Sequence, residues 1–283
     1  QESRGLGDVY KRQARGRTHR CERAGGYFGA VLRAKGRKLY FVHKTQVLTK
    51  NSPRPVFDRG PRPYMRGRLH TAAAWYFGGM GTALTIVAAS KFHLSWMTFA
   101  TALYALCLAG MLTVSALYHR VPWRSEGAVN SWRRADHAMI AVFIAGTYGP
   151  VTVGAFGARW FTGWGWFNTG GLWILAVCWL AATAAVVLNL VWIDHPRWLD
   201  ATTYLTLGWL AAIGAVGYYQ QLGVAVSLLM LLGGIVYSLG AVIYAKQWPN
   251  PSPRWFGFHE VFHAATILAA LLHHIAIWIL VLR

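Results

Sequence analysis

Apolar residues in this chain gather into seven long runs, and polar residues collect between them. The runs cover approximately 70–90, 96–119, 136–157, 170–193, 200–219, 222–245 and 258–282. Each approaches the roughly 20 mostly apolar residues that a helix needs to cross a bilayer. Only Gln220 and Gln221 separate the fifth run from the sixth, which predicts a tight turn there. Gly-Gly pairs at 78–79, 170–171 and 233–234 suit close helix packing or span ends in a membrane bundle. No internal repeat is visible. Before residue 70 the chain has scattered Gly, Pro and Arg, with no sustained apolar period and no signal-peptide pattern. The expected architecture is an all-α membrane protein: residues 66–283 form a seven-transmembrane helix bundle, preceded by a basic, disordered tail over 1–65.

Composition narrows the class. Of 283 residues, 55% are hydrophobic and 13% charged, with a mean hydropathy of +0.32 and a formal net charge of +19. Disorder is excluded for most of the chain, because disordered segments are poor in apolar and aromatic residues. Three cysteines are an odd number, and Cys107 and Cys178 lie in apolar runs, so a small disulfide scaffold is excluded too. A nucleic-acid binder would explain the charge but not fifteen tryptophans and long apolar stretches. The charge itself is local: 18 of the 28 Lys and Arg lie within residues 1–69. The chain opens with Gln1 rather than Met, and Met65 reads as a natural start, so much of 1–50 reads as translated upstream sequence or a disordered extension. The other reading of the tail is a segment that binds anionic lipid.

Lys and Arg in short loops set orientation. With the N-terminus inside, cytoplasmic loops carry Arg120, Arg124, Arg133, Arg134, Arg197, Lys246 and Arg254, against Lys91, Arg159 and Arg283 outside. The expectation is a cytoplasmic N-terminus, an outside C-terminus and a multi-pass location in the cell membrane.

Ionisable groups at membrane depth are costly and are read as functional candidates. The second run ends in Ser115-Ala-Leu-Tyr-His119, the third opens with Asp136-His137, and the seventh opens with Phe258-His259-Glu260-Val-Phe-His263. All three fall at the cytoplasmic ends of their spans. Ser115 and His119 share a helical face at i, i+4, and so do His259 and His263. Two imidazoles so spaced can hold one metal ion, and His119 from another helix would supply a third nitrogen. Three protein ligands with one open position are the pattern of a catalytic zinc, which lowers the pKa of its water toward about 7. Asp136 would hold or deprotonate that water, and Ser115 would donate a hydrogen bond to it or to a substrate oxygen. The bland alternative is that each histidine bonds a carbonyl or lies in the interface. His259-Glu260-x-x-His263 also matches a zinc-peptidase pattern with Glu260 as general base. No second Asp-Gly ligand motif accompanies it, and Glu260 points about 100° away from His259.

At these residues the sequence resembles the hemolysin III family, within the superfamily of progestin and adipoQ receptors and alkaline ceramidases. The matching segments are Arg66-Gly-Arg-Leu-His70, Ser115-Ala-Leu-Tyr-His119, Arg134-Ala-Asp136-His137 with Ile144-Ala-Gly-Thr-Tyr-Gly-Pro150, and Phe256-Gly-Phe-His259-Glu-Val-Phe-His263. The resemblance implies a seven-helix bundle with zinc on His119, His259 and His263, Asp136 on the zinc water and Ser115 beside it. Ala135 stands where a leucine is expected, a change that should affect packing only.

Other histidines carry weaker claims. His137 reads as a supporting or interfacial residue, and His70 begins the first span on the site's side. His273 and His274 lie deeper in the seventh run, where haem ligation or hydrogen bonding inside the bundle are the alternatives. Tryptophans such as Trp123, Trp132, Trp160, Trp164, Trp166, Trp192, Trp198, Trp248 and Trp255 cluster near span ends as an aromatic belt. Three function classes follow: a zinc-dependent membrane hydrolase of a lipid amide or ester, a pore-forming haemolytic protein, and a receptor or regulator with structural zinc. The partners expected are membrane lipids and a lipid-like substrate, with no nucleic acid.

Overall fold

A computed structural model describes residues 30–34, 37–41, 57–159 and 171–283. Two compact units divide the chain, Gln1–Arg54 and Pro55–Arg283. In the first, β1 (Ala30–Ala34) pairs antiparallel with β2 (Arg37–Phe41), in the register Ala30 opposite Phe41 to Ala34 opposite Arg37. Strands therefore occur in a stretch expected to be disordered. The rest of the expected tail before residue 57, and Trp160, Trp164 and Trp166 of the expected belt, lie outside the described residues.

The second unit is helical: α1 (Arg68–Phe92), α2 (Trp96–Arg120), α3 (Glu126–Phe156), α4 (Gly171–Val191), α5 (Arg197–Trp209), α6 (Ala215–Lys246) and α7 (Phe258–Leu282). A short 3₁₀ turn, Leu210–Gly214, joins α5 to α6 without breaking the helical path. Ser95 and Ser125 cap α2 and α3 by accepting hydrogen bonds from the Thr98 and Ala128 amides, which satisfies donors that a helix start leaves open. The Ser125 cap starts α3 ten residues before the expected span, because that first stretch is polar and carries no membrane signal.

Among the described residues, six helical stretches are long and apolar enough to cross a membrane. One of them, Arg197–Lys246, has 50 residues and is interrupted at Gly223, whose φ of 77° and ψ of 176° are not helical. Trp209 Nε1 donates to Ser238 Oγ at 3.0 Å, so residues on either side of Gly223 lie next to each other and the chain folds back there. The expected turn at Gln220–Gln221 is thus displaced to the glycine, which adopts positive φ at no steric cost.

Phe77, Leu84, Tyr104, Leu108, Phe143 and Ile277 fill the core between α1, α2, α3 and α7. Trp75, Ile86, Leu106 and Leu180 point outward and are more than half exposed. Apolar side chains both inside and out are what a bundle bathed in lipid requires, since the outer face meets hydrocarbon rather than water. The chain is a multi-pass integral membrane protein.

Residues 57–67 pack across one end of this bundle, although the expected tail includes most of them. The Phe57 amide donates to the Trp123 carbonyl, and the Tyr64 and Met65 amides donate to Arg254 and Trp255. Arg59 Nη1 donates to the Tyr118 carbonyl at 2.7 Å, and Arg62 Nη1 to that of His119 at 3.0 Å. Guanidinium groups here occupy open carbonyls at the C-terminal end of α2, where the helix dipole also favours a positive charge.

Candidate metal centre

His119 ends α2 and His259 and His263 open α7, so two helix termini 140 residues apart in the chain meet at one end of the bundle. Each offers a ring nitrogen, and the three atoms lie within 4.8 Å of one another. His119 Nε2 is 3.1 Å from His259 Nε2. His119 and His263 are buried and His259 is half-buried. His119 Nδ1 is a buried nitrogen with no hydrogen-bond partner. Three imidazoles facing one another suit a cation, because neutral rings bring lone pairs that only a shared proton or a metal can bridge. The residues present therefore fit a metal ion held by three nitrogens.

Asp136 Oδ2 lies 3.6 Å from His119 Nε2, and the aspartate is 8% exposed. Ser115, one turn before His119 on α2, is buried beside it. The five residues singled out in the sequence thus converge, contributed by α2, α3 and α7. They stand at the end of a cavity of about 390 Å³ whose walls are otherwise mostly apolar, including Met111, Ile140, Phe143 and Leu205. That volume lies in the range of small-molecule sites.

The residues left open in the sequence now have positions. His70 stacks flat on His263, with ring centroids 3.8 Å apart and an interplanar angle of 10°. It braces the His263 ring, while its own nitrogens find no partner. Glu260 turns away from the histidines. Its carboxylate accepts from Arg66 Nε and, at 2.9 Å, from the Gly257 amide, so it caps the first turn of α7 and anchors the 57–67 segment. A general-base role in a peptidase motif is incompatible with that placement. His274 receives Trp278 Nε1 at 3.0 Å and contacts Tyr104 Oη at 3.1 Å, which occupies both ring nitrogens and leaves none for a haem iron.

Gly67 fits where nothing larger would. Its φ is 75°, and a Cβ there would lie 2.8 Å from both His119 Cβ and Arg120 Cγ. The segment can cover the His119 backbone closely only because this residue lacks a side chain.

Two functional candidates were missed in the sequence. His195 and Asp200, at the start of α5, are both buried, and Asp200 opens onto the same cavity. The signal that selected Asp136, a carboxylate at the end of a span expected to face inward, also applied to Asp200.

A description of the family "Haemolysin-III related" matches residues 60–274. The "Hemolysin-3 homolog" of Bacillus subtilis (strain 168) is 27% identical over 188 residues, covering 64% of this chain and 83% of that protein. "Hemolysin-3" of Bacillus cereus is 26% identical over 163 residues, covering 57% and 68% respectively. The match begins inside the 57–67 segment and runs through all three histidines, Asp136 and Ser115, so the chain belongs to the haemolysin-III-related family.

Proposed function

We propose that this protein is a seven-span, zinc-dependent hydrolase of a lipid amide or related ester, with its site at the cytoplasmic end of the bundle. Seven crossings are favoured by length: 50 helical residues extend about 75 Å, more than twice a ~30 Å hydrocarbon core, and the chain reverses near their middle. The loop charges favour the orientation, with seven basic residues on the site's side and three opposite.

One observation carries the functional reading: His119, His259 and His263 bring three nitrogens within 4.8 Å, with a carboxylate at hand, at one end of a mostly apolar cavity of about 390 Å³. Zinc held by these three residues would supply Lewis acidity and acidify water toward pKa 7. Asp136 Oδ2, beside His119, is placed to accept a proton from a water attacking the carbonyl carbon. Ser115 donates a hydrogen bond to the Asp136 carboxylate or to the substrate oxygen. The apolar walls hold the acyl chain and keep bulk water from the reacting atoms.

Metal analysis of detergent-purified protein tests the site, with His119→Ala and His263→Ala beside wild type. One zinc per chain in wild type and well under half in each variant is expected; unchanged zinc in both would overturn the site. A screen of N-acyl amides and esters with the zinc-loaded protein then tests the chemistry. Stoichiometric zinc without hydrolysis of any member would overturn the hydrolase reading. Membrane permeabilisation that persists in folded His263→Ala would instead support a pore.

A further inference from the structure

A second polar cluster faces the same cavity from α3 and α5. His137 Nδ1 lies 3.1 Å from Asp200 Oδ2, and His195 Nε2 lies 3.5 Å from Asp200 Oδ1. Tyr204 Oη donates to the His137 carbonyl at 2.8 Å, so α5 grips both the backbone and the ring of this residue. Asn189 completes the support: its Nδ2 donates to the Ala185 carbonyl at 2.9 Å, and its Oδ1 lies 3.4 Å from His195 Nε2. The Asp200 side chain is 4% exposed. His137, Asp200 and Tyr204 line the cavity together with Asp136, His259 and His263.

An aspartate at Nδ1 fixes an imidazole's orientation and supports its positive charge, leaving Nε2 as the nitrogen that can exchange a proton. His137 is half-buried: its Nδ1 is enclosed and meets Asp200 as a close charge contact rather than an aligned hydrogen bond, and the nitrogen away from Asp200 is the one not enclosed by protein. It follows Asp136 directly in α3, so two proton-handling side chains from consecutive residues border one cavity. Amide cleavage requires two such groups. One takes a proton from water, and the other gives one to a nitrogen that is a poor leaving group as an anion.

We propose that His137, oriented by Asp200, is the catalytic proton donor to the leaving group; this rests on the hydrolase reading above. As water adds to the carbonyl carbon, a C–O bond forms and the water's proton passes to Asp136. The C–N bond then breaks, its electron pair stays on nitrogen, and that nitrogen takes the Nε2 proton of the His137 imidazolium, which is left neutral with its remaining proton on Nδ1. Asp136 returns its proton to His137, and the products are a carboxylic acid and an amine. Asp200 is a positioning residue, since it acts through the imidazole. His195, steadied by Asn189, lies against Asp200 Oδ1 at 3.5 Å.

The test compares two substrates with the same acyl chain: an N-alkyl amide, and a 4-nitrophenyl ester whose leaving group departs without a proton. Zinc-loaded wild type, His137→Gln and Asp200→Asn are assayed, and bound zinc is measured in each. Expected is a fall in amide hydrolysis of at least about 100-fold for His137→Gln, within the range for loss of one acid–base group. The nitrophenyl ester should fall by less than tenfold, with zinc content unchanged. A second readout is independent of turnover. The ¹⁵N resonances of His137 should report a proton on Nδ1 in wild type and a shift toward the other tautomer in Asp200→Asn. Equal losses on both substrates, no loss on either, or lost zinc would each overturn the assignment while leaving the hydrolase reading intact. An unchanged tautomer in Asp200→Asn would overturn the orienting role. A wild type inactive toward both substrates overturns the hydrolase reading, and the assignment falls with it.

Discussion

The first turns of α7 and its middle both carry a pair of histidines, in surroundings that share little. His259 and His263 point their nitrogens at another imidazole from α2 and stand close to a carboxylate. Ten residues further along, His273 Nε2 contacts the Met230 carbonyl at 3.1 Å, and His274 is shared between Tyr104 and Trp278. In the deep pair, carbonyl, hydroxyl and indole N–H partners take up most of the ring nitrogens. In the outer pair, nitrogen faces nitrogen, and a cation is the natural bridge. The lesson is that histidine abundance on a membrane helix does not mark a metal site; convergence of unsatisfied nitrogens from different helices does.

The sharpest way to break this contrast is to swap the losses. His263→Ala should remove nearly all bound zinc, whereas His274→Gln should leave zinc at the wild-type ratio when both are measured by metal analysis. A zinc loss in the deep variant would erase the distinction. Next in size, Arg66→Ala strands the Glu260 carboxylate, whose side chain is 2% exposed, at the start of α7. Removing one partner of a buried pair costs about 3–5 kcal/mol, so thermal unfolding in detergent should drop by several degrees. Glu260→Gln should cost less, because the amide oxygen can still accept from Gly257.

Gly67→Ala comes third. The positive φ and the 2.8 Å approach to His119 Cβ together should cost about 1–3 kcal/mol and displace α2's last turn. Weaker zinc retention in a chelator titration, with a helical circular-dichroism spectrum kept, is the expected outcome. Smallest is His274→Gln itself. Losing a hydrogen bond to Tyr104 or Trp278 costs about 1 kcal/mol, visible as a modest shift in unfolding temperature alone.

Much of the site was legible because its residues obey two simple regularities, i, i+4 spacing and position at one end of their spans. These brought His119, Asp136, His259 and His263 together on paper without tertiary information. Glu260 was ambiguous for the opposite reason. A glutamate three residues into a helix can cap it or serve a metal site, and the choice depends on Arg66, 194 residues away in the chain. His137 and Asp200 could not be paired in the sequence because their proximity depends on how α5 packs against α3. The 57–67 segment was placed mostly with the tail for want of an apolar period. Its attachment uses backbone amides and guanidinium groups on carbonyls, and such bonds leave almost no compositional trace. Span ends were read to within a few residues except at α3, where a polar first stretch hides the true start.

Because the three facing histidines come from the end of α2 and the start of α7, their cluster cannot form until α7 has been made and has docked. Ribosomes would release α7 only after α1 to α6 had entered the bilayer. Under the proposed zinc site, capture of the ion would report a late event of biogenesis, the docking of α7. Metal occupancy would then become a maturation signal: a chain stalled with α7 undocked would stay empty, and a chelator would act on folded molecules by loosening the seam between α2 and α7.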